Sequence, residues 1–98
     1  MRTKNSGPER IGSLIESVLS ELGLAGAYWQ HRAMQAWDEA VGEILARVTE
    51  PERIEHGRMF VKVRDSSWRQ ELHYYRGEIM KRLNENLNRR VVRDIIFV

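Results

Sequence analysis

The chain has 98 residues, of which 42% are hydrophobic and 31% are charged, values typical of one globular domain with a single core. It contains no cysteine, which argues against disulfides and thiolate metal sites. It also contains no signal peptide and no apolar run that could cross a bilayer, which argues against a membrane partner and predicts a cytoplasmic location. The formal net charge is +2, but residues 1–50 carry five basic and seven acidic side chains, whereas residues 51–98 carry eleven and seven.

Two helices are predicted in the first half of the chain. Residues 1–7 are predicted to be a disordered N-terminus, followed by a single domain over residues 8–98. Apolar residues recur at helical spacing after Pro8 and stop before Gly23, which predicts an amphipathic helix over residues 8–22. Its apolar stripe contains Ile11, Leu14, Ile15, Val18, Leu19 and Leu22. A second helix is predicted between about residues 27 and 48, with Trp37, Val41, Ile44 and Val48 on its apolar side.

A β-hairpin is predicted over residues 53–64, where apolar and charged side chains alternate on both sides of His56 and Gly57. These two residues tolerate the positive φ angles of a two-residue turn, and such a turn places Ile54 opposite Met59. One face of the hairpin is then apolar and contains Ile54, Met59, Val61 and Val63. The other face contains Arg53, Arg58, Phe60, Lys62 and Arg64.

A third helix and a third strand complete the predicted fold. The helix starts at Ser66 or Ser67, either of which is a suitable N-cap, and the strand lies within residues 91–98, with Ile95 and Phe97 facing inward. The order α-α-β-β-α-β predicts an α+β fold with a small three-stranded sheet and helices packed on one face. The opposite face is then open to solvent and carries the basic side of the hairpin.

The open basic face predicts nucleic-acid binding, since basic side chains neutralise phosphates and an exposed ring stacks on a base. Two arginines on one edge of the third helix extend this surface. The expected nucleic-acid-binding residues are Arg53, Arg58, Phe60, Lys62, Arg64, Arg69 and Arg76.

Other candidate sites are explained better as structural features. The three histidines, His31, His56 and His73, have no partner at metal-ligand spacing, so neither a metal nor another cofactor is predicted. Gly23 and Gly26 form a Gly-x-x-Gly loop like that of KH modules, but no Lys or Arg lies inside it, and it is interpreted as a helix C-cap and turn. No nucleophile, base and orienting residue occur together, so neither an enzyme nor a small-molecule substrate is predicted.

The chain also resembles a known family over about residues 11–98. The residues that carry the resemblance are Trp37, Val41, Gly42, Ala46, Thr49, Pro51, Ile54, Gly57, Met59, Val61, Val63, Ser67, Trp68, Glu71, Leu72, Ile79, Leu83, Asn84, Leu87, Val92, Asp94, Ile95 and Phe97. Together they resemble the bacterial DciA-like family. The resemblance implies a KH-like fold, DNA binding, and a role in loading or positioning the replicative DnaB-type helicase.

The sequence therefore predicts a non-enzymatic protein that binds single-stranded or junction DNA and associates with the replicative helicase. Two alternatives stay open. The same face could dock an acidic protein surface without binding nucleic acid, or the protein could be a KH-like RNA-binding protein.

Overall fold

The computed structural model of the protein describes residues 8–98, with side chains from Ser13 onward. The predicted disordered N-terminus, residues 1–7, lies outside this described part. Ile11 of the first apolar stripe also falls outside it as far as its side chain is concerned. The elements are α1 (Pro8–Glu21), α2 (Ala25–Val41), α3 (Glu43–Val48), β1 (Thr49–Glu55), β2 (Arg58–Val63), α4 (Ser66–Tyr74), α5 (Arg76–Leu87) and β3 (Asp94–Phe97). The α+β class and the order of elements are confirmed, and each of the last two predicted helices is divided in two.

The predicted second helix is broken at Gly42, whose φ angle of 91° lies outside the helical region. Since α3 starts after this break, its residues no longer continue the apolar side of α2. Trp37 is fully buried on α2, whereas Ile44, predicted on the same side, is 69% exposed. The predicted third helix is broken at Tyr75, which has φ −95° and ψ 9° and separates α4 from α5.

The N-cap of α4 is Asp65, so the prediction of Ser66 or Ser67 is wrong. Asp65 follows β2 with extended backbone angles, and its Oδ1 accepts a hydrogen bond from the backbone N–H of Trp68 at 3.2 Å. A carboxylate satisfies a free N–H of the first turn as well as a hydroxyl does. The helix therefore begins at Ser66, one residue earlier than it would with Ser66 as the N-cap.

The sheet has the strand order β1-β2-β3, with β1 antiparallel and β3 parallel to the central strand β2. The turn between β1 and β2 is formed by His56 and Gly57, with φ angles of 54° and 81°. Ile54 pairs with Met59, which confirms the predicted register. The face that was predicted to be apolar is therefore the face turned toward the helices.

The core lies between one face of the sheet and helices α2, α4 and α5. Its buried residues are Ala33, Ala36, Trp37, Ala40, Ile54, Met59, Val61, Val63, Leu72, Ile79, Leu83, Leu87, Val92, Ile95 and Phe97. The inward orientation of Ile95 and Phe97 is thereby confirmed, because both belong to this cluster. All three strands contribute to the core from the same side, so the other side of the sheet faces away from the core.

Helix α1 packs against α2. Its side chains Leu14, Val18 and Leu22 remain 55%, 54% and 65% exposed, so most of its apolar stripe is not part of the core. An ion pair between Glu16 and Arg89 connects α1 to the segment that follows α5. Within the described residues, no helix is long and apolar enough to span a membrane.

Replacing Gly57 with alanine is expected to lower the free energy of unfolding by about 1–2 kcal/mol, because a Cβ makes left-handed backbone unfavourable. A Cβ at Gly57 would also lie 3.0 Å from Cδ and 3.1 Å from Cγ of Arg93, so that side chain would have to move. Urea denaturation followed by circular dichroism measures the effect. The control is His56→Asn, since asparagine adopts positive φ readily. Equal stability of Gly57→Ala and the wild type would contradict the expectation.

Candidate nucleic-acid interface

The five hairpin residues predicted for the site lie together on the side of the sheet away from the core, which we call the open face. Arg53 on β1 pairs with Phe60 on β2, so both side chains lie on the same face. Arg58 begins this side on β2, and Lys62 on β2 and Arg64 directly after it continue it. The four basic side chains are exposed and Phe60 is half-buried. The structure therefore brings all five together.

Two guanidinium groups lie over the ring of Phe60. The Cζ atom of Arg53 is 4.1 Å from the ring centroid, and that of Arg58 is 5.7 Å from it. Arg53 is also held by Glu55, whose Oε2 accepts from its Nε at 2.9 Å. A base that stacks on Phe60 would have to displace Arg53, whereas the edge of the ring and the second guanidinium stay accessible.

Three basic side chains of the open face, namely Arg58, Lys62 and Arg64, form no ion pair within 4.0 Å among the residues that the structure describes. Lys62 and Arg64 also line an open groove of about 410 Å³ at the end of the hairpin away from its turn. Since these groups are exposed and are not held in an ion pair, they are the charges on the open face that are available to an anion.

Acidic residues also occupy the open face, which the sequence pattern did not reveal. The pairing between β1 and β2 shifts between Pro51 and Arg53, so Glu52 is an extra residue in a β-bulge. The bulge reverses the alternation and places Glu50 directly opposite Lys62, on the open face. The proline inside the strand was the available signal, because proline within a sheet is common at bulges.

Two further acidic residues lie near the turn. Glu55 and Asp94 both pair with Arg58, one from each neighbouring strand. The open face therefore alternates between basic and acidic groups, and its net positive charge is smaller than the basic residues alone suggest. An anion is attracted mainly by β2, since the acidic residues belong to the two outer strands.

The two helix residues predicted to widen the surface behave differently from the hairpin residues. Arg76 reaches Asp94, with Nη1 and Oδ1 3.7 Å apart, so it lies at the β3 edge of the open face and is partly neutralised there. Arg69 on α4 is half-buried, and its Nε is enclosed without a hydrogen-bond partner within the described residues. His73 is exposed and packs its ring edge-on against that of Phe97, with the ring centroids 6.0 Å apart.

No group of three or more His, Asp or Glu side chains that could hold a metal ion comes together within residues 8–98. The loop at Gly23 has a φ angle of 75° and follows the end of α1, as expected for a helix C-cap. The chemistry available on the open face is thus electrostatic attraction, hydrogen bonding and stacking.

Comparison with known proteins gives one family match. Residues 10–97 match the model of the family described as "Dna[CI] antecedent, DciA". A search of curated proteins gives no significant match. The match covers α1 from residue 10 onward and every later element through β3, including all residues of the open face.

Proposed function

This chain belongs to the DciA family, and from this we propose that it is a non-enzymatic DNA-replication protein that acts with the replicative DnaB-type helicase. In this proposal the protein binds single-stranded or junction DNA on its open face while it associates with the helicase. The family supports the role in replication and helicase loading. The geometry of β2 supports the DNA contact.

The observation that carries the DNA contact is a row of three cations along β2 and the residue that follows it. Arg58 and Lys62 on β2 and Arg64 directly after it are exposed on one face and have no ion-pair partner within the described residues. Arg58 and Lys62 are four residues apart on the strand, a distance of about 13 Å, and Phe60 lies between them. A flexible single strand can adjust its phosphates to such a row, and each contact releases counterions.

Phe60 and the remaining basic residues have supporting roles in this proposal. Phe60 stacks on a base once Arg53 moves aside, and Arg53 then adds a contact with its own guanidinium. Arg76 contributes at the β3 edge, where it competes with Asp94 for a phosphate. Arg69 contributes least, because one of its donors is enclosed.

The salt dependence of binding tests the proposal directly. Three phosphate contacts on a single strand are expected to give a slope of about −2 in a plot of log K against log salt concentration, at about −0.7 per contact. Fluorescence anisotropy with a labelled oligonucleotide measures this slope. A slope near zero, or no binding at low salt, would contradict the electrostatic contact.

A second candidate is a protein-interaction module without DNA binding, and the acidic groups on the open face favour it. Glu50, Glu55 and Asp94 make this surface a mixed-charge patch, which suits a protein partner as well as a polyanion. A pull-down of the helicase from cell extract with and without nuclease separates the two. Retention of the helicase without any oligonucleotide binding would favour the module.

RNA binding is distinguished by a simple competition. The charges of β2 are expected to attract DNA and RNA alike, and only RNA presents a 2′-hydroxyl group. Matched DNA and RNA oligonucleotides of the same sequence are added to the preformed complex. Stronger competition by RNA would indicate an RNA-binding protein instead.

A further inference from the structure

A second basic surface lies at the turn end of the sheet, outside the residues assigned above. An open cleft of about 260 Å³ is formed there by the first turn of α2, the hairpin turn at Gly57, and the segment after α5. Trp29, Arg89 and Arg90 line its walls. We call this space the turn-end cleft.

The charge of the turn-end cleft differs from that of the open face. No acidic residue lines the cleft within the part of the chain that the structure describes. Arg90 and Arg93 are exposed and form no ion pair within 4.0 Å among the described residues. Arg89 is paired with Glu16. Two arginines are therefore available to an anion at this end of the sheet.

An aromatic ring and an unused donor add to these charges. The guanidinium carbons of Arg89 and Arg32 lie 4.8 Å and 5.7 Å from the ring centroid of Trp29. The indole Nε1 is buried and has no hydrogen-bond partner within the described residues. A buried N–H without a partner is unfavourable, so an acceptor that reaches it is favoured.

The segment that carries these arginines is fixed by its neighbours. Asn84 accepts hydrogen bonds from the backbone N–H groups of Val91 and Val92 at 2.9 and 3.0 Å, and its Nδ2 donates to the carbonyl oxygen of Val92 at 2.9 Å. The backbone N–H of Arg93 donates to the carbonyl oxygen of Gly57 at 2.7 Å. Because the segment is fixed, the arginines are presented without a large ordering cost.

We propose that the turn-end cleft binds backbone phosphates of the same DNA strand that lies on the open face. The proposal rests on the proposed DNA binding and adds a second contact region to it. The two surfaces are continuous, because Arg58 of the open face directly follows Gly57, and the side chain of Arg93 lies over that glycine. A strand that follows β2 toward the turn therefore passes Arg93 and reaches Arg90.

The test compares two double variants by their affinity for a labelled single-stranded oligonucleotide. Arg90→Gln with Arg93→Gln is expected to weaken binding about tenfold and to make the salt slope less steep by about 1.4, the value for two lost phosphate contacts. Lys81→Gln with Arg82→Gln, on the exposed side of α5, removes the same charge elsewhere and is expected to leave both quantities unchanged.

Further measurements keep the outcome decisive. Arg90→Gln alone removes no described hydrogen bond or ion pair and is expected to weaken binding about threefold without a change in the circular dichroism spectrum. An unchanged affinity and slope in both cleft variants, with weaker binding in a variant of Lys62, would overturn this inference and leave the proposed function intact. Absence of DNA binding by the wild type would overturn both. A mononucleotide that displaces the oligonucleotide at similar concentration would show a nucleotide site instead.

Discussion

Replacing Trp37 with alanine is expected to lower the free energy of unfolding by about 3–5 kcal/mol, the range for removing a large buried aromatic side chain. Trp37 is fully buried in α2. Its Nε1 donates to Oγ1 of Thr49 at 2.8 Å, and that hydroxyl donates to the carbonyl oxygen of Leu45 at 2.7 Å. The side chain therefore connects α2, α3 and the first residue of β1, and alanine would lose the packing and the hydrogen bond together.

Two control variants separate these contributions. Trp37→Phe keeps most of the packing and loses the indole donor, so a smaller loss, of about 1–2 kcal/mol, is expected. Tyr74→Ala removes an aromatic ring that is 81% exposed, and a change within about 0.5 kcal/mol is expected. Urea denaturation followed by circular dichroism and by tryptophan fluorescence gives the values. A Trp37→Ala protein as stable as Tyr74→Ala would contradict the role assigned to Trp37.

The hairpin was predictable because its turn determines the pairing. Once His56 and Gly57 occupy the two positive-φ positions, the partners of the next residues follow by counting, and the positions of Ile54, Met59 and Phe60 were obtained correctly. The side of β1 beyond the bulge was not predictable in this way. Counting by two fails where Glu52 adds one residue, and the position of Glu50 on the open face was missed for this reason.

The two helix breaks also differ in how far the sequence reveals them. Gly42 adopts a φ angle that other residues avoid, so a break there has a recognisable cause in the sequence. Tyr75 ends α4 with no glycine or proline at its own position, and its backbone angles are accessible to any residue. On either side of the break the helices have different neighbours: α4 contacts β2 and β3, whereas α5 contacts β3 and packs against α2. Such tertiary packing is not visible in local periodicity.

The sequence predicted which face of the sheet carries the candidate site. It predicted less well which basic side chains on that face are without an ion-pair partner. Sequence placed Arg53 and Phe60 on the same side, which is confirmed, but gave no means of knowing that the guanidinium lies on the ring. The turn-end cleft was missed because its walls come from three separate segments. The local sequence around Arg89 and Arg90 gives no sign of a contact with Trp29, which depends on how α2 packs against α5.

Reversing the charges of Lys62 and Arg64 is expected to have the largest effect on DNA binding. Lys62→Glu with Arg64→Glu replaces two attractions by two repulsions, and about a hundredfold weaker binding to a single strand is expected, near tenfold for each residue. Both side chains are exposed and neither is held by a described ion pair, so each is expected to act directly on a bound phosphate. Fluorescence anisotropy at constant salt measures the change.

The matched control is Lys81→Glu with Arg82→Glu, which makes the same chemical change on exposed positions of α5 and is expected to alter DNA affinity by less than about threefold.

Because Glu50 lies opposite Lys62, the Lys62→Glu substitution also places two acidic side chains opposite each other on neighbouring strands, which weakens the sheet. The neutral pair Lys62→Gln with Arg64→Gln avoids that repulsion and still removes both contacts, with about tenfold weaker binding expected. Helicase retention is measured on the same proteins: loss of DNA binding with the helicase retained supports the DNA role of β2, whereas loss of the helicase with DNA affinity unchanged would assign this face to the protein partner.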